Sequence, residues 1–468
     1  MSRCERPFTK SEDQEVSKER RKSKRDVILS RIRSSETKRL KWKFKAFLEE
    51  CKFKLVHDVF LESGAIRADF DDCWVLAWTD HVVSMENLSK MKPFQRVNHF
   101  PGMKEICNKD LLCQNMKKMR KVLPKSYNFF PLSFCLPEEK RYLIKYCEKK
   151  KSDVFIIKPD RNSQGVGIDL VKGMPDVKMY RNVVCQKYIC KPLLMERFKF
   201  DLRLYVLLTS VSPLRIYIYK EGIVRLATIP YKKPNASNMN EKRMHLTNYA
   251  VNKHTGGKKS GSRKDVNCKK SLRDLDDLLT TLGISAKKVW LQIDGIIVKT
   301  IISALPTFQR LFRTAFPIST PVPSCFELLG FDILLDSSGK LYLLEVNRSP
   351  SLGTSSLLDK KMKKNLIKDI LNMILLTPRQ INLIKQEQHV KSVQRLTNPS
   401  MTRKLTDKER ILTEYLEEKE IRMMGNFRKL YPVEDDDRYD EIYRMSFRLD
   451  SRNIDEFKNI SLPKDKGK

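Results

Sequence analysis

The chain has 468 residues and a formal net charge of +35, with 92 lysines and arginines against 57 aspartates and glutamates. Hydrophobic residues make up 41% of it and the mean hydropathy is −0.47, values typical of a soluble protein with a substantial core. No stretch approaches the roughly 20 apolar residues that span a bilayer. The N-terminus lacks the apolar core of a secretory signal, so we expect neither a membrane-spanning helix nor export.

The cysteines and the charge narrow the class of protein further. Eleven cysteines are scattered without a CxxC pair or a Cys/His zinc spacing, which is typical of reduced thiols in a cytosolic protein. The positive charge favours a polyanionic partner, namely nucleic acid, an acidic membrane or an acidic protein surface, unless it is simply a solvated surface. No zinc finger or RNP-like motif supports nucleic-acid binding.

The first three segments of the chain differ in composition. Residues 1–40 form a charged leader, partly helical or disordered. Residues 41–150 alternate apolar runs with polar turns, which predicts an N-terminal mixed α/β domain. Residues 151–374 contain many short β-type runs joined by turn residues, a pattern of antiparallel hairpins. Within them, residues 274–313 are predicted to be helical, with a short strand near IDGIIV.

The last part of the chain is helical and polar. Residues 375–432 predict two helices that carry many basic residues. Residues 433–468 form a polar tail, which begins with an acidic patch over 434–437. The alternation of strand-rich and helical segments predicts an α+β fold.

A hairpin late in the strand-rich segment, FELLGFDILLDSSGKLYLLEVNRSP, carries the strongest chemical signal. If Asp336 faces Leu341 across a four-residue turn, counting back along both strands places Asp332 opposite Glu345, with Cβ atoms about 5 Å apart. Asn347 follows two positions later, so it points to the same face. Opposed carboxylates destabilise a strand pair unless they are compensated, and a hard cation such as Mg²⁺ takes oxygen ligands of this kind. The alternative is an exposed hairpin with solvated carboxylates, which the apolar neighbours disfavour.

A lysine and a glycine-containing loop precede this hairpin in the run IIKPDRNSQGVGIDLV. Lys158 ends a predicted strand, and Gly165 and Gly167 lie in the polar loop that follows. Glycines let backbone N–H groups approach a phosphate closely, and a lysine supplies a positive charge. The spacing matches neither a Walker loop nor a strand–GxGxxG–helix unit, so an ordinary hairpin remains the alternative.

Charged residues alternate along RFKFDLRLYVLL. Lys199, Asp201 and Arg203 share one face of the predicted strand, and apolar residues take the other. Three charges in a row on a strand are costly unless they pair with one another or serve a site. Asp201 is suited to hold one of the cations in place.

His245 on its own is more often a structural than a catalytic histidine.

A series of short motifs runs through the chain in one order. They are KPD…QGxG, QKYI, KFDLR, GIVR, HLTNY and FELLGFDILLD…LYLLEVNRSP, with WTD and VNHFPGMKEICNKDLLCQNMKKM upstream. This succession resembles the tubulin–tyrosine ligase-like family, and most of all its polyglutamylase subgroup, over roughly residues 75–375. The resemblance implies an ATP-grasp-type ligase core, spanning residues 151–374, with an N-terminal mixed domain and a basic helical C-terminal extension.

The resemblance also implies roles for individual residues. ATP would be held by Lys158, Gln164, Gly165, Gln186, Lys187, Tyr188, Ile189, Lys199, Asp201, Thr247 and Asn248. Two Mg²⁺ ions would be bound by Asp332, Glu345 and Asn347. Arg203 and Lys109 would lie near the reacting groups as catalytic residues.

The same resemblance places further residues around the amino acid and the acceptor. Arg225 would grip the carboxylate of the incoming amino acid, because a guanidinium fork suits that geometry. Lys270 would add a cation there, and Ala250 stands where relatives often carry Ser. Arg348 stands where this subgroup often has His; it would lie near the acceptor peptide and favour an already acidic chain.

Family chemistry implies the reaction and the partners. The γ-phosphoryl group of ATP would pass to an acceptor glutamate side chain, and the amine of free L-glutamate would attack the resulting acyl phosphate. The expected activity is tubulin polyglutamylation, with glutamate-rich tubulin tails as the polyanion and residues 375–432 as the microtubule-binding region. We expect a monomer of the cytoplasm and cytoskeleton, including cilium, axoneme or basal body, that binds neither nucleic acid nor membrane.

Three alternatives stay open from the sequence. A glycylase, or a glutamylase of another acidic protein, would use the same kind of site. A non-catalytic microtubule-binding protein would keep the fold, although the intact set of Asp332, Glu345 and Asn347 disfavours it. Nucleic-acid binding through the basic surface is the third.

Overall fold

The structure, a computed structural model, describes residues 29–30, 42–160, 165–175, 182–252, 268–316, 322–397 and 406–451. Helices and strands are mixed along the chain, which confirms the predicted α+β class. Gln164, most of the predicted leader and the end of the predicted tail lie outside the described residues.

The described strands are numbered in chain order. They are β1 Phe44–Phe47, β2 Ala65–Arg67, β3 Leu76–Ala77, β4 Arg96–Val97, β5 Ser133–Leu136, β6 Val154–Pro159, β7 Asp169–Lys172, β8 Val183–Lys187, β9 Leu194–Met195, β10 Phe198–Val211, β11 Leu214–Leu226, β12 Lys269–Lys270, β13 Glu327–Leu335, β14 Leu341–Asn347 and β15 Phe427–Tyr431.

The described helices are numbered in the same way. They are α1 Lys54–Glu62, α2 Met85–Ser89, α3 Lys104–Cys107, α4 Lys109–Val122, α5 Lys140–Lys149, α6 Lys242–His245, α7 Tyr249–Asn252, α8 Leu272–Thr281, α9 Ala286–Ile302, α10 Leu305–Ala315, α11 Leu357–Ile374, α12 Pro378–Thr397, α13 Asp407–Arg422 and α14 Asp440–Ser451.

The chain divides into two compact units, each assembled from three separate segments. The first unit comprises Met1–Asn98, Arg313–Phe326 and Lys364–Gly425, and the second comprises His99–Phe312, Glu327–Lys363 and Asn426–Lys468. The domain boundaries expected from the sequence stay predictions.

The first unit contains a four-stranded parallel sheet in the order β2-β1-β3-β4. Helix α1 buries one apolar face, formed by Leu55, Val56, Val59 and Phe60. The ring of Phe60 meets that of Trp78, which follows β3, edge to face at 6.1 Å between centroids. Spacing of apolar residues at three and four positions is what lets one helix face join a core.

Helices α12 and α13 also belong to the first unit, and some of their basic side chains point inward. A capping box formed by Thr406 and Glu409 begins α13. Lys391 of α12 pairs with Glu409 at 2.5 Å, and Lys419 of α13 donates to the Leu375 carbonyl at 2.6 Å. These two lysines are buried. The outer surface of this helical pair is therefore less basic than the sequence suggests.

The second unit contains two sheets with antiparallel pairing. One has the order β5-β8-β6-β7, and the other has the order β12-β11-β10-β13-β14, with β15 beside β11 and β9 beside β10. Strand β10 is buried from Lys199 to Val211, because both faces of this central strand are covered. Charged residues of β10 therefore lie inside the protein, where each needs a partner.

The carboxylate hairpin pairs Asp332 with Glu345, as predicted, but the predicted register near its turn is wrong. The structure pairs Leu335, and not Asp336, with Leu341. A register shift between Asp332 and Ile333 then restores the expected pairing further along the strands. One extra residue in β14 therefore forms a β-bulge, a device that re-aims side chains beside functional sites.

The short strand expected near IDGIIV is absent from the described residues, because this run lies inside helix α9. Ser285 caps the helix through its side chain, and the run from Ile293 to Ile302 is mostly buried. A helix buried on most sides cannot be told from a buried strand by periodicity alone. Among the described helices none is long and apolar enough by itself to cross a membrane, although the bent pair α9–α10 meets the criteria of length and composition.

Candidate active site

A cleft of about 630 Å³ lies in the second unit, between its two sheets. Twelve of the residues predicted from the sequence line it: Lys158, Gln186, Lys187, Tyr188, Ile189, Lys199, Asp201, Arg225, Thr247, Asn248, Asp332 and Glu345. The fold therefore brings together residues that are up to 187 positions apart in the chain.

A ladder of alternating charge crosses the larger sheet at the floor of this cleft. Strand pairing places Arg225 opposite Asp201, and Arg203 opposite Asp332, which in turn faces Glu345. Arg225 grips Asp201 with two hydrogen bonds of 2.7 and 2.6 Å, and Arg203 grips Asp332 with two of 2.6 and 2.9 Å. Such two-pronged guanidinium–carboxylate pairs are the strongest ionic contacts that side chains make.

A diagonal contact joins the two halves of the ladder. Nη2 of Arg225 also reaches Asp332 at 2.7 Å, and the Thr247 hydroxyl donates to Asp201 at 2.7 Å. The pairing of Asp201 with a cation, expected from the sequence, is present, but its partner is Arg225 on the next strand. Nη1 of Arg225 has no protein partner among the described residues. One edge of this guanidinium group therefore remains open to a ligand.

A glycine makes room for the second arginine of the ladder. A Cβ atom on Gly330 of β13 would lie 2.8 Å from the Pro350 side chain and 3.2 Å from Cδ of Arg203. A larger residue at Gly330 would therefore clash with Pro350 and crowd the Arg203 side chain.

The two carboxylates of the hairpin ionise differently. Although burial opposes ionisation, Arg203 and Arg225 hold the pKa of Asp332 well below its ordinary value. Burial and the neighbouring Asp332 raise the pKa of Glu345. Among the described residues, no lysine or arginine forms an ion pair with Glu345. The compensation that the sequence led us to expect from a cation is thus supplied to Asp332 by guanidinium groups, whereas Glu345 has no ion-pair partner in the described residues and only the more distant charges of Lys158 and Lys109 favour its ionised form.

The donor set around Glu345 fits a hard divalent cation. Asp332, Glu345 and Asn347 present oxygen atoms on adjacent strands, and Nδ2 of Asn347 donates to Asp332 at 3.4 Å. A half-buried carboxylate with a raised pKa beside a second carboxylate would be relieved by a bound cation. Oxygen-only ligands suit Mg²⁺ in particular.

Two buried lysines also line the cleft, Lys158 from β6 of the smaller sheet and Lys199 from β10 of the larger one. Lys158 donates to Oε1 of Gln186 at 2.8 Å, and burial lowers its pKa to about 8. Lys199 donates to the His245 carbonyl at 2.7 Å and lies 4.4 Å from the ring centre of Tyr188. Burial lowers the pKa of Lys199 to about 7. Both ammonium groups are desolvated cations, so an anionic ligand would find them poorly screened.

His245 holds this part of the cleft together. It is fully buried, its Nε2 atom lies 3.1 Å from the Asn238 carbonyl, and its Nδ1 atom lies 3.2 Å from the Tyr188 hydroxyl. Burial and Lys199 lower the pKa of His245 to about 4. A neutral, fully bonded imidazole supports a structural role, which agrees with the expectation from the sequence.

The glycine loop packs against the turn that carries Asn248. Gly165 has φ +84°, and a Cβ atom there would lie 2.7 Å from the Val251 side chain and 3.6 Å from that of Asn248. Both the backbone conformation and the close approach require glycine at this position. Gly165 is thus placed beside a residue that lines the cleft.

Three further predicted residues, Lys109, Ala250 and Arg348, are not among those that line the cleft. Nζ of Lys109 donates to the Asp160 carbonyl at 3.3 Å, and its charge acts on Lys158 and Glu345. Ala250 lies in the short helix α7. The buried Nε atom of Arg348 has no hydrogen-bond partner in the described part of the chain.

The sequence profile of the Tubulin-tyrosine ligase family matches residues 87–383 of this chain. The chain belongs to this family. It is 39% identical over 412 residues to tubulin polyglutamylase TTLL6 of Mus musculus. The aligned residues cover 87% of this chain and 50% of that protein. It is 37% identical over 452 residues to tubulin polyglutamylase TTLL13 of Mus musculus, which is 93% of this chain and 53% of that protein.

A relative from another organism also matches the chain. The chain is 39% identical over 397 residues to a probable beta-tubulin polyglutamylase of Tetrahymena thermophila, which is 82% of this chain and 32% of that protein. This tubulin-tyrosine ligase family member therefore spans about half, or less, of the length of these curated relatives.

The structure draws attention to a lysine that sequence reasoning missed in this family member. Lys270 forms an ion pair with Glu196 at 3.0 Å, and neither Lys269 nor Lys270 is among the residues that line the cleft. Lys269 is the residue paired with Arg225 across β11 and β12, so both side chains lie on one face of the sheet. Its ammonium group lies 4.1 Å from the ring centre of Tyr249. Adjacent lysines alternate in direction on a strand, and the sequence gives no signal for which of the two points inward.

Proposed function

We propose that this chain is an ATP- and Mg²⁺-dependent ligase that joins free L-glutamate to the side-chain carboxylates of glutamates in tubulin C-terminal tails. The observation that carries the proposal is the ladder formed by Arg225, Asp201, Arg203, Asp332 and Glu345, together with two desolvated lysines that line the same cleft. Relatives named tubulin polyglutamylases support the choice of substrate. Such an enzyme would act at the microtubule cytoskeleton, with an ATP-grasp-type core formed by the two sheets on either side of the cleft.

ATP would occupy the cleft with its phosphates near Lys158 and Lys199. Gly165, Thr247 and Asn248 lie beside the same space and would approach the phosphates with backbone and side-chain donors. Gln186 holds the Lys158 ammonium group in place at 2.8 Å.

The adenine ring would meet the segment Lys187–Ile189. The Lys187 N–H donates a hydrogen bond to the Leu132 carbonyl, and the Tyr188 N–H donates one to the Val154 carbonyl. The Ile189 N–H has no such partner among the described residues, so it is the donor that an adenine nitrogen would meet.

Asp332, Glu345 and Asn347 would hold Mg²⁺, and the proposal follows the sequence expectation of two ions. When bound, Mg²⁺ neutralises and orients phosphate oxygens. Of the two carboxylate ligands, Glu345 is the one with no competing ion pair, so it would contribute most to the affinity for Mg²⁺.

The incoming amino acid would lie between Arg225 and Lys269. Nη1 of Arg225 is open, and the Lys269 ammonium group is fixed on the same face of the sheet. Two neighbouring cations suit an amino acid with two carboxylates, whereas glycine has only one. This arrangement favours glutamate over glycine, and it assigns to Lys269 the role expected of Lys270.

In the proposed reaction, an oxygen of the acceptor carboxylate attacks the γ-phosphorus of ATP and ADP leaves. The amine of glutamate then attacks the acyl carbon and phosphate leaves, which forms an isopeptide bond. Arg203 is held rigidly by Asp332, so its charge is available near the reacting groups without reorganisation. The protein thus contributes alignment and charge neutralisation.

Incorporation of labelled glutamate tests this proposal. The protein is incubated with ATP, Mg²⁺, microtubules and either radiolabelled L-glutamate or radiolabelled glycine. We expect glutamate in the tubulin tails and none without ATP. Labelling by glycine would instead indicate a glycylase, and the absence of either label would favour a non-catalytic microtubule-binding protein.

ATP affinity should depend on pH through Lys199. Its pKa of about 7 means that the free protein loses this charge as the pH rises, whereas a bound phosphate favours the charged form. We therefore expect ATP affinity to fall by up to about tenfold per pH unit above pH 7. Calorimetry at pH 8 in two buffers of different ionisation enthalpy should show proton uptake on binding. In Lys199→Arg the charge persists, so both effects should shrink to the part that Lys158, with its pKa of about 8, contributes. Proton release by the wild type would contradict the assignment.

Exposed basic residues of the first unit should contribute to microtubule docking. Arg379, Lys385 and Arg422 are exposed on α12 and α13. Changing all three to glutamate is expected to weaken microtubule binding at least about tenfold at low salt, because a polyanion would then meet acidic side chains. Co-sedimentation with microtubules at 50 and 200 mM salt measures the effect, and the wild type should also weaken as salt rises.

A charge-matched variant on another surface serves as the control for docking. Arg141, Lys145 and Lys149 are exposed on α5. Their change to glutamate alters net charge by the same amount, so it should leave binding nearly unchanged if the surface on α12 and α13 is responsible. Equal losses in both variants would show that net charge alone governs binding.

A further inference from the structure

A buried carboxylate outside the cleft lining contacts the second cation of the proposed amino-acid site. Asp359 lies in the first turn of α11 and is 0% exposed. Its Oδ2 atom accepts a hydrogen bond of 2.6 Å from Nζ of Lys269. Its Oδ1 atom lies 2.8 Å from Nζ of Lys363, whose ammonium group also donates to the Gly353 carbonyl at 2.7 Å. One carboxylate therefore joins a buried cation, Lys363, and a half-buried one, Lys269.

Hydroxyl groups complete the surroundings of this carboxylate. Ser355 and Ser356 donate to Oδ2 of Asp359 at 2.9 and 3.2 Å, and Lys269 also donates to the Ser355 hydroxyl at 2.6 Å. Burial alone would raise the pKa of Asp359, but the hydrogen bonds from Lys269 and Lys363 hold it below its ordinary value. The carboxylate is thus kept ionised in a buried place, where a charge needs such partners.

The contact restricts a side chain that would otherwise be mobile. A lysine carries a flexible four-carbon stem, and much of its rotamer freedom is lost when the ammonium group is held. Lys269 is fixed by Asp359 and Ser355 from one direction and by the Tyr249 ring, with a centroid distance of 4.1 Å, from another. Because its backbone is paired with Arg225, this restraint also fixes the spacing between the two cations.

We propose that Asp359 is a positioning residue that sets the selectivity for an amino acid with two carboxylates, by holding the Lys269 ammonium group at a fixed place beside Arg225. The proposal rests on the proposed glutamate-ligase function and deepens it. Asp359 touches neither the cleft lining nor the reacting groups, so it acts only through Lys269. A substrate with two carboxylates gains from a preorganised pair of cations, and glycine gains nothing from the second one.

Substitution of Asp359→Asn tests this role with a readout that a purely structural role would not move. We expect the KM for L-glutamate to rise about 10- to 100-fold, the range typical when a supporting partner of a binding group is lost. The KM for ATP, and kcat at saturating glutamate, should stay within about twofold. The ratio of glutamate to glycine incorporation should fall by a similar factor.

Further variants separate positioning from folding. Lys363→Met leaves the contact between Asp359 and Lys269 intact, so its KM for glutamate should match that of the wild type. The pair Asp359→Asn with Lys363→Met removes one charge of each sign, which protects the fold while still releasing Lys269. This pair should show the same raised KM for glutamate as Asp359→Asn alone.

A double-mutant cycle with Lys269→Met decides the mechanism. In the Lys269→Met background, Asp359→Asn should have no further effect on the KM for glutamate, because the group it positions is gone. Equal rises of the KM values for ATP and glutamate, or additive effects in the cycle, would overturn the positioning role. If the wild type transfers no glutamate, the proposed function fails and this role falls with it; if it transfers glutamate and Asp359→Asn behaves like the wild type, only the positioning role fails.

Discussion

Glu345→Gln should reduce glutamate transfer to tubulin at least about 10²-fold, a loss comparable to removing one preorganised electrostatic group from an active site. The substitution keeps the shape of the side chain and removes its charge, so Mg²⁺ would lose its least encumbered ligand. The same change should leave the melting temperature unchanged or raise it. Burial and Asp332 raise the pKa of Glu345, which means that its charged form costs stability in the folded protein.

The control for this prediction lies on the same hairpin. Asp336→Asn makes the same chemical change at the turn, where Oδ1 of Asp336 accepts hydrogen bonds from the backbone of Ser338 and Lys340. An asparagine oxygen can accept the same bonds, so activity should be retained. Transfer rates are measured with radiolabelled glutamate, and melting temperatures by circular dichroism. Full activity in Glu345→Gln would exclude the proposed metal site.

The hairpin shows how far the sequence could go towards this site. Counting along two strands placed Asp332 opposite Glu345 correctly, although the assumed turn register was wrong and a bulge restored the pairing. Periodicity fixes which face a residue takes, but a bulge depends on packing that no local pattern reveals. The correct pair was reached because its two members lie beyond the bulge.

The sequence could not show which residues pair with the buried charges. Lys199, Asp201 and Arg203 were predicted to share a strand face, yet their partners come from other elements of the fold. Arg203 binds Asp332, which lies 129 positions away. A single sequence carries no record of such pairings, so the ladder appears only once the strand order is known.

The sequence also could not show which side chain of a two-residue strand points to which face of the sheet. Lys269 and Lys270 form a two-residue strand that follows residues outside the described part of the chain. Two residues offer no alternation to count, and both side chains are lysines. The contact with Asp359, from an element 90 positions away, is what distinguishes them.

Removing Arg203 should expose how much the fold depends on the ladder. In Arg203→Leu, the Asp332 carboxylate stays buried at 1% exposure and keeps only Arg225 as a cationic partner. Breaking a buried ion pair on one side costs about 3–5 kcal/mol, and the remaining contact favours a loss of about 3 kcal/mol here. Urea denaturation followed by circular dichroism measures the change in the free energy of unfolding.

A double-mutant cycle separates the ion pair from simple packing. When Asp332→Leu is added to Arg203→Leu, no buried carboxylate is left without its partner, and the repulsion on Glu345 is relieved as well. The double variant should therefore be more stable than Arg203→Leu alone, with a coupling energy of about 1–3 kcal/mol. Additive losses would instead mean that the two side chains contribute by packing alone.

Glu345→Gln and Arg203→Leu are expected to change the stability of the fold in opposite directions, although they affect the two carboxylates of one strand pair. Asp332 is ionised and held by two guanidinium groups, so its charge is integrated into the fold. Glu345 lies directly opposite, is half-buried, and forms no ion pair with a lysine or arginine among the described residues. A carboxylate that weakens the fold but remains in a cleft with two desolvated lysines is best explained by a ligand that it binds. Opposite shifts in stability for Glu345→Gln and Arg203→Leu would therefore support a metal site built on a structural ion pair.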